Sequence, residues 1–355
     1  MVHKLIVLGA LCALGLAAQA QTRVLKWAHV YEPTESFHLQ AVQAATQIAR
    51  ETQDRVRIEV IPASKAGGEE TFLAKLKSGE IDIAYLGMSQ AAKEYPGLSV
   101  AGFPFVFQDT DHVRRYLGSP FFQEQLDGYE KATGNHIATA VYYGARHVTS
   151  NRLLTGPQDM AGLRLRVPSA PANKLFGEAM KAQAVTIPFA KVYDALKSGE
   201  VDAQENPLPT IHAKKFYEVQ KFTFLTAHIY ELTSIMVSPT AWKTISPADQ
   251  KVVDAAIKKA GSWVNVQIIS SELTMEAELR KLGMRVLGVD RKAFRDFALK
   301  NASPGDLGVT ARDYERIQAL ASSGGVSSAS APPAAEAAAE RKKKPAARTT
   351  PAPRT

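Results

Sequence analysis

A seven-residue segment occurs twice in this chain, 120 positions apart. Residues 76–82 read LKSGEID and residues 196–202 read LKSGEVD, so the copies differ only by an Ile to Val exchange. In each copy an amphipathic helix reaches a Gly that can adopt the left-handed C-cap conformation, and a short β-branched strand follows. Two equivalent helix-to-strand units predict two similar lobes. Because ligands bind beyond the carboxyl ends of strands in open α/β sheets, we expect a cleft shared by the lobes.

Alternating strand and helix patterns predict an α/β fold. A helix at 36–53 and a strand at 56–61 follow the first strand, which makes an opening βαβ unit. Ser246 and Pro247 mark an N-cap and first helical position, and this helix is expected to run towards Leu282. We predict a two-lobed clamshell like that of periplasmic binding proteins. Each lobe is a mixed sheet flanked by helices, and the long helix braces both lobes.

The predicted lobes are each built from two parts of the chain. Lobe I comprises 21–143 and 232–271, and lobe II comprises 144–231 and 272–324. Residues 325–355 are rich in Ala, Pro and Lys and are expected to form a disordered tail. That tail carries +4 of the formal net charge of +8, so the high pI is no evidence for a nucleic-acid partner. A solvated charge run is favoured there over attraction to an anionic envelope surface.

The amino terminus predicts export. A basic start precedes an apolar run at 5–18, and positions 18–20 read Ala-Gln-Ala, the small-x-small pattern of signal peptidase cleavage. We therefore expect a cleaved signal peptide at 1–20 and a periplasmic protein. A retained anchor is the alternative, although the run is shorter than the about 20 residues that span a bilayer. Cleavage removes Cys12, the only cysteine, so packing alone would stabilise the mature chain.

Three polar residues are the strongest candidates for ligand binding. Arg166 ends a predicted strand just before Pro168, where the backbone leaves the sheet near the expected cleft. Its guanidinium group can hold a carboxylate through two parallel, charge-assisted hydrogen bonds. Arg146 near the start of lobe II can add a second positive contact, and Asn206 beyond the second repeat strand can donate from its amide. For each residue the alternative is a solvated group or an internal hydrogen bond.

These residues lie in segments with a family resemblance. The segments read GGEE, RHVTSNR, GLRLRVP, VDAQENP and KFYEVQK, at 67–70, 146–152, 162–168, 201–207 and 215–221. In this order and spacing, residues 24–320 or so resemble the extracytoplasmic solute-binding proteins of TRAP transporters, of the dicarboxylate-binding (DctP) type. The resemblance implies capture of an organic acid by cleft closure and delivery to a membrane complex of small and large subunits driven by an ion gradient.

The resemblance also implies roles for particular residues. Arg166 would be the carboxylate-binding arginine, Arg146 a second basic contact, Phe189 an aromatic wall and Asn206 the amide that closes on the ligand. Sialic-acid-binding members bring an acidic side chain into the cleft from a strand end where this chain has Gly87. We therefore expect a smaller or differently decorated acid, with a neutral hydrogen bond from Gln90 nearby.

Other chemistry is weakly indicated. His29, at the end of the first strand, is a candidate ligand contact, with an ordinary structural histidine as the alternative. No two histidines have the helical spacing of a zinc site, so neither a metal nor another cofactor is expected. The chain has no Gly-x-Ser-x-Gly elbow and no phosphate or dinucleotide loop. A monomeric non-enzyme is expected; the alternatives are a sensor that presents its ligand to a membrane kinase and a periplasmic hydrolase or isomerase.

Overall fold

The computed structural model describes residues 22–321, so the expected signal peptide at 1–20 and tail at 325–355 lie outside it. The strands are β1 (Arg23–Ala28), β2 (Val56–Ile61), β3 (Ile83–Gly87), β4 (His136–Ser150), β5 (Arg164–Val167), β6 (Gln183–Thr186), β7 (Ala203–Pro207), β8 (Phe222–Phe224), β9 (Tyr230–Val237) and β10 (Arg285–Leu287). The α-helices are α1 (Ser36–Glu51), α2 (Glu69–Ser78), α3 (Met88–Ala91), α4 (Thr110–Leu117), α5 (Pro120–Thr133), α6 (Pro171–Ala179), α7 (Val192–Ser198), α8 (Leu208–Ala213), α9 (Pro239–Lys243), α10 (Pro247–Lys281), α11 (Arg291–Asn301) and α12 (Ala311–Ala319).

Two mixed sheets meet in the long strand β4. The strand order is β2-β1-β3-β9-β4-β7-β5-β6, and β8 joins β4 to β10. Residues 136–145 of β4 pair with β9 in the first sheet, whereas residues 146–150 pair with β7 and β8 in the second. Both sheets combine parallel and antiparallel pairs. The predicted α/β fold with two lobes, each a mixed sheet flanked by helices, is confirmed.

The repeated segment forms the same local structure twice. Gly79 ends α2 with φ 75° and ψ 17°, and Gly199 ends α7 with φ 75° and ψ 19°. A side chain is strained in this left-handed conformation, which explains why both copies use Gly. The chain then enters β3 in the first lobe and β7 in the second. These units are therefore structurally equivalent, as the sequence predicted.

The aspartates that close the two repeats also have equivalent partners. The Asp82 carboxylate accepts a hydrogen bond from the Lys26 backbone N–H at 2.9 Å, and the Asp202 carboxylate accepts one from the Arg164 N–H at 3.0 Å. Each bond ties the turn after the repeat helix to the neighbouring strand, β1 or β5. The aspartates thus fix the register of corresponding strand pairs.

The hydrophobic core in which a segment packs shows which lobe it belongs to. The first core includes Val253 and Val264 of α10, whereas Leu279 near the end of α10 belongs to a core of the second lobe. The long helix therefore braces both lobes, as predicted. Leu307 and Ile317 pack in the first core, although the predicted bounds placed them in lobe II. The chain returns to the first core after α11, and the bounds of the two lobes stay a prediction.

Close packing of α10 against β4 depends on Gly261. A Cβ added there would lie 2.9 Å from Thr139 Cγ2 and 2.9 Å from Val141 Cγ1. Ala normally stabilises a helix interior by about 0.5–1 kcal/mol relative to Gly, but overpacking costs about 1–3 kcal/mol. We expect Gly261→Ala to lower the free energy of unfolding by about 1 kcal/mol in urea titrations with an unchanged m-value. Ser262→Ala on the exposed side of α10 is the control, and equal stabilisation by both substitutions would contradict the prediction.

Candidate ligand-binding site

A cavity of about 690 Å³, part of it open to solvent, lies between the lobes. Its lining draws on the carboxyl ends of β3, β5 and β7 and on the crossing strands β4 and β9, as expected for α/β sheets. Of the six residues predicted from sequence, five line the cavity: Arg146, Arg166, Asn206, Phe189 and Gln90.

Arg166 is a buried cation at the carboxyl end of β5. Its side chain has a relative exposure of 2%, and its Nε and Nη2 atoms donate to the Ile187 carbonyl oxygen at 2.9 and 2.7 Å. The Phe189 ring centroid lies 5.9 Å from the guanidinium carbon. Among the described residues no carboxylate forms an ion pair with Arg166. Burial lowers the pKa of Arg166 to about 10, so the group remains protonated at neutral pH.

Arg146, the second predicted arginine, is already paired. Its Nη2 atom donates to Glu205 Oε1 at 2.7 Å and its Nε atom donates to Glu205 Oε2. His228 Nε2 lies 3.1 Å from the same carboxylate. Burial alone would raise the pKa of Glu205, but Arg146 and His228 hold it at about 2. Because Glu205 balances the charge of Arg146, Arg166 is the arginine of this cavity with an unmatched positive charge.

Two carboxyl groups, those of Glu69 and Glu231, converge beside Gly87. The Gly87 N–H lies 3.4 Å from Glu69 Oε2, and a Cβ on Gly87 would lie 3.4 Å from Glu69 Oε2 and 3.7 Å from Glu231 Oε1. Burial and the neighbouring Glu231 raise the pKa of Glu69 to about 7. Burial also raises the pKa of Glu231. The cleft therefore has acidic groups at this place after all, supplied by α2 and β9 rather than by β3.

Two hydrogen bonds bridge the lobes across the cleft. Gln90 Nε2 of α3 donates to Ser169 Oγ after β5 at 3.1 Å. At another point, Lys214 Nζ after α8 donates to Glu32 Oε1 after β1 at 2.7 Å. Each bond joins a residue of one lobe to a residue of the other.

Asn206 belongs to a buried polar chain that links β7 and α8 to β4. Its amide nitrogen donates to Gln204 Oε1 at 2.6 Å, and the Tyr143 hydroxyl lies 3.5 Å from its amide oxygen. Thr210 Oγ1 in turn donates to the Tyr143 hydroxyl at 2.8 Å. These bonds fix the orientation of an amide that lines the cavity.

His29 does not line the cavity, unlike the other five predicted residues. Its Nε2 atom lies 3.2 Å from His38 Nδ1, and its ring stacks on Tyr31 with centroids 5.8 Å apart. Burial and the neighbouring His38 lower the pKa of His29 to about 3, which keeps the ring neutral. Within the described residues no group of three or more His, Cys, Asp or Glu is arranged to hold a metal ion.

The residues that bear this site fall inside a known family pattern. The family described as bacterial extracellular solute-binding protein, family 7 (DctP), matches residues 27–301. The chain belongs to family 7. Family 7 members are solute-binding proteins rather than enzymes, and they work with TRAP membrane components. Over residues 22–321 this family 7 protein has no helix both long and apolar enough to cross a bilayer.

Individual relatives support the assignment to family 7. The sialic acid-binding periplasmic protein SiaP of Vibrio cholerae is 31% identical over 72% of this chain and 80% of its own length. The 2,3-diketo-L-gulonate-binding periplasmic protein YiaO of Escherichia coli is 27% identical over 81% of this chain and 87% of its own. A TRAP periplasmic solute-binding protein from Polaromonas, crystallised with D-erythronate, is 26% identical with a TM-score of 0.79, over 83% of this chain and 98% of its own.

Proposed function

We propose that this protein captures an organic acid in the periplasm and delivers it to a TRAP-type secondary transporter. The observation that carries the proposal is the buried guanidinium group of Arg166, which lines a cavity between two lobes without a carboxylate partner from residues 22–321. A buried charge is costly unless it is paired, so the ligand carboxylate supplies the missing partner. SiaP, YiaO and the Polaromonas protein are each named with an organic acid, which agrees with this chemistry.

Capture proceeds by closure of the lobes around β4 and β9. The acid enters an open cleft and its carboxylate pairs with Arg166. Rotation of the lobes then brings Asn206 and Phe189 onto the ligand and makes the bonds from Gln90 to Ser169 and from Lys214 to Glu32. Closure excludes water, which strengthens the charged contacts inside. The expected signal peptide at 1–20 would bring the protein to the compartment where such capture is needed.

The first test is identification of the ligand. Native mass spectrometry of the purified mature protein identifies any co-purified acid, and a thermal-shift panel of organic and sugar acids extends the search. A ligand at 100 times its Kd stabilises the folded state by about 2.7 kcal/mol, so we expect Tm to rise by several degrees.

The matched ligand control removes only the charge. The neutral primary amide of each acid keeps the carbon skeleton but cannot pair with Arg166, and we expect it to leave Tm unchanged. Equal stabilisation by an acid and its amide, or no stabilisation by any acid in the panel, argues against carboxylate capture. Loss of acid uptake in a strain lacking this protein tests the transport step separately.

A further inference from the structure

The charged groups lining the cavity are unevenly balanced. The carboxyl groups of Glu69, Glu70 and Glu231 face it together with the guanidinium groups of Arg146 and Arg166. Since Glu205 already balances Arg146, one ligand carboxylate on Arg166 uses the only unmatched positive charge that these lining residues provide.

Lysines outside the lining add one further cation, because Lys93 forms no ion pair with a described carboxylate whereas Lys214 does. Lys93 Nζ lies 3.2 Å from Ser169 Oγ, and Lys214 is engaged with Glu32 and the Phe189 ring. Because Glu70 and Glu69 are the acidic neighbours of Lys93, a second carboxylate on the ligand would still find more acidic side chains than basic partners among the described residues.

A buried amide oxygen in the cavity lining also lacks a hydrogen-bond donor among the described residues. Asn173 of α6 lines the cavity with a relative exposure of 1%, and its Oδ1 atom has no hydrogen-bond partner among the described residues. Its Nδ2 atom is engaged with Glu205 Oε1 at 3.4 Å. Buried polar atoms are normally paired, so this oxygen points to a ligand group that donates.

The carboxyl groups of Glu69 and Glu231 beside Gly87 also need a hydrogen-bond donor. Glu69 Oε2 has only the long contact to the Gly87 N–H, and Glu231 Oε1 has a long contact to Ser89 Oγ at 3.5 Å. An ionised carboxylate only accepts hydrogen bonds, whereas a hydroxyl can donate one. A ligand hydroxyl therefore satisfies these oxygens, and a ligand carboxylate does not.

We propose that Glu69, Glu231 and Asn173 make the site selective for hydroxylated monocarboxylic acids and exclude acids with a second carboxylate. The inference rests on the proposed function, because it takes Arg166 as the anchor for the first carboxylate. The hydroxyl groups of the ligand donate to Glu69, Glu231 and the Asn173 amide oxygen. A second carboxylate at the same place meets like charges and leaves those acceptors unpaired, which is how binding sites reject near relatives of their ligand.

Matched pairs of sugar acids test this selectivity directly. An aldonate and its aldarate, such as galactonate and galactarate or threonate and tartrate, differ only in a terminal CH2OH or COO⁻ group. Isothermal titration calorimetry at pH 8, where Glu69 is mostly ionised, is expected to show an aldonate binding at least tenfold more tightly than its aldarate. Glu69→Gln removes one negative charge and keeps the shape, so this ratio is expected to fall at least fivefold. Glu59→Gln, on the exposed side of β2, is the matched control and leaves the ratio unchanged.

The outcomes separate this inference from the proposed function. Equal binding of aldonate and aldarate by the wild-type protein, or binding of succinate with no binding of any aldonate, overturns the selectivity while carboxylate capture stands. An unchanged ratio in both Glu69→Gln and Glu231→Gln, each with a wild-type unfolding midpoint, also overturns it. If no acid binds the wild-type protein, both proposals fall together.

Discussion

Arg166→Ala is expected to weaken binding of the acid by about 30-fold or more. Truncating one partner of a buried, hydrogen-bonded charge pair costs about 2–5 kcal/mol, and a micromolar complex is worth about 8 kcal/mol. The substitution removes the one guanidinium group of the cavity that Glu205 does not balance, and nothing else on β5 can replace it. Calorimetric titration with the identified acid measures the loss as an increase in Kd.

Arg164→Ala is the matched control, because Arg164 lies on the same strand but is partly exposed and pairs with Asp202. We expect it to keep wild-type affinity. Arg166→Lys retains the charge but loses the planar fork, so its affinity should lie between those of the wild-type and Ala proteins. Wild-type affinity in a folded Arg166→Ala protein, judged by circular dichroism and Tm, would rule out this residue as the anchor.

Local sequence signals predicted the main elements of the fold. The Gly that ends each repeat helix has a specific backbone conformation, and the Ser-Pro start of α10 is an N-cap whose side chain accepts from Asp249 N–H. Both signals act within a few residues, so they can be recognised in the sequence without knowledge of the tertiary structure. The return of Leu307 and Ile317 to the first core was missed, because it depends on packing between segments far apart in the chain.

The site was predictable only in part, for a related reason. Arg166 follows from its position at a strand end, whereas the pairing of Arg146 with Glu205 depends on the register between β4 and β7. Glu231 comes from the crossing strand β9 and carries no local signal. Glu69 had a local sequence signal, since it lies in the GGEE segment that begins α2. Sequence alone does not show that this helix end reaches Gly87.

Glu205→Gln is expected to have the largest effect on stability. The substitution keeps the size of the side chain but leaves Arg146 as a buried charge whose remaining ion-pair contact is the longer 3.7 Å one to Glu231, beside its hydrogen bond to the backbone carbonyl oxygen of residue 205. Breaking a buried ion pair by removing one partner costs about 3–5 kcal/mol. Urea titration at pH 7 measures this loss in the free energy of unfolding. Glu200→Gln, at an exposed position two residues beyond the end of α7, is the control and should change the free energy of unfolding by less than about 0.5 kcal/mol.

The pH dependence of this loss distinguishes a charge effect from a packing effect. The pKa of Glu205 lies at about 2 in the folded protein, below its ordinary value of 4.5, so its charge stabilises the fold fully above about pH 4.5. That contribution disappears as the pH falls from 4.5 towards 2, because the folded protein must then take up the proton. The difference in unfolding free energy between the wild-type and Glu205→Gln proteins should therefore be constant from pH 6 to 8 and shrink below pH 4.5. A difference that stays constant down to pH 3 would assign the loss to packing rather than to the ion pair with Arg146.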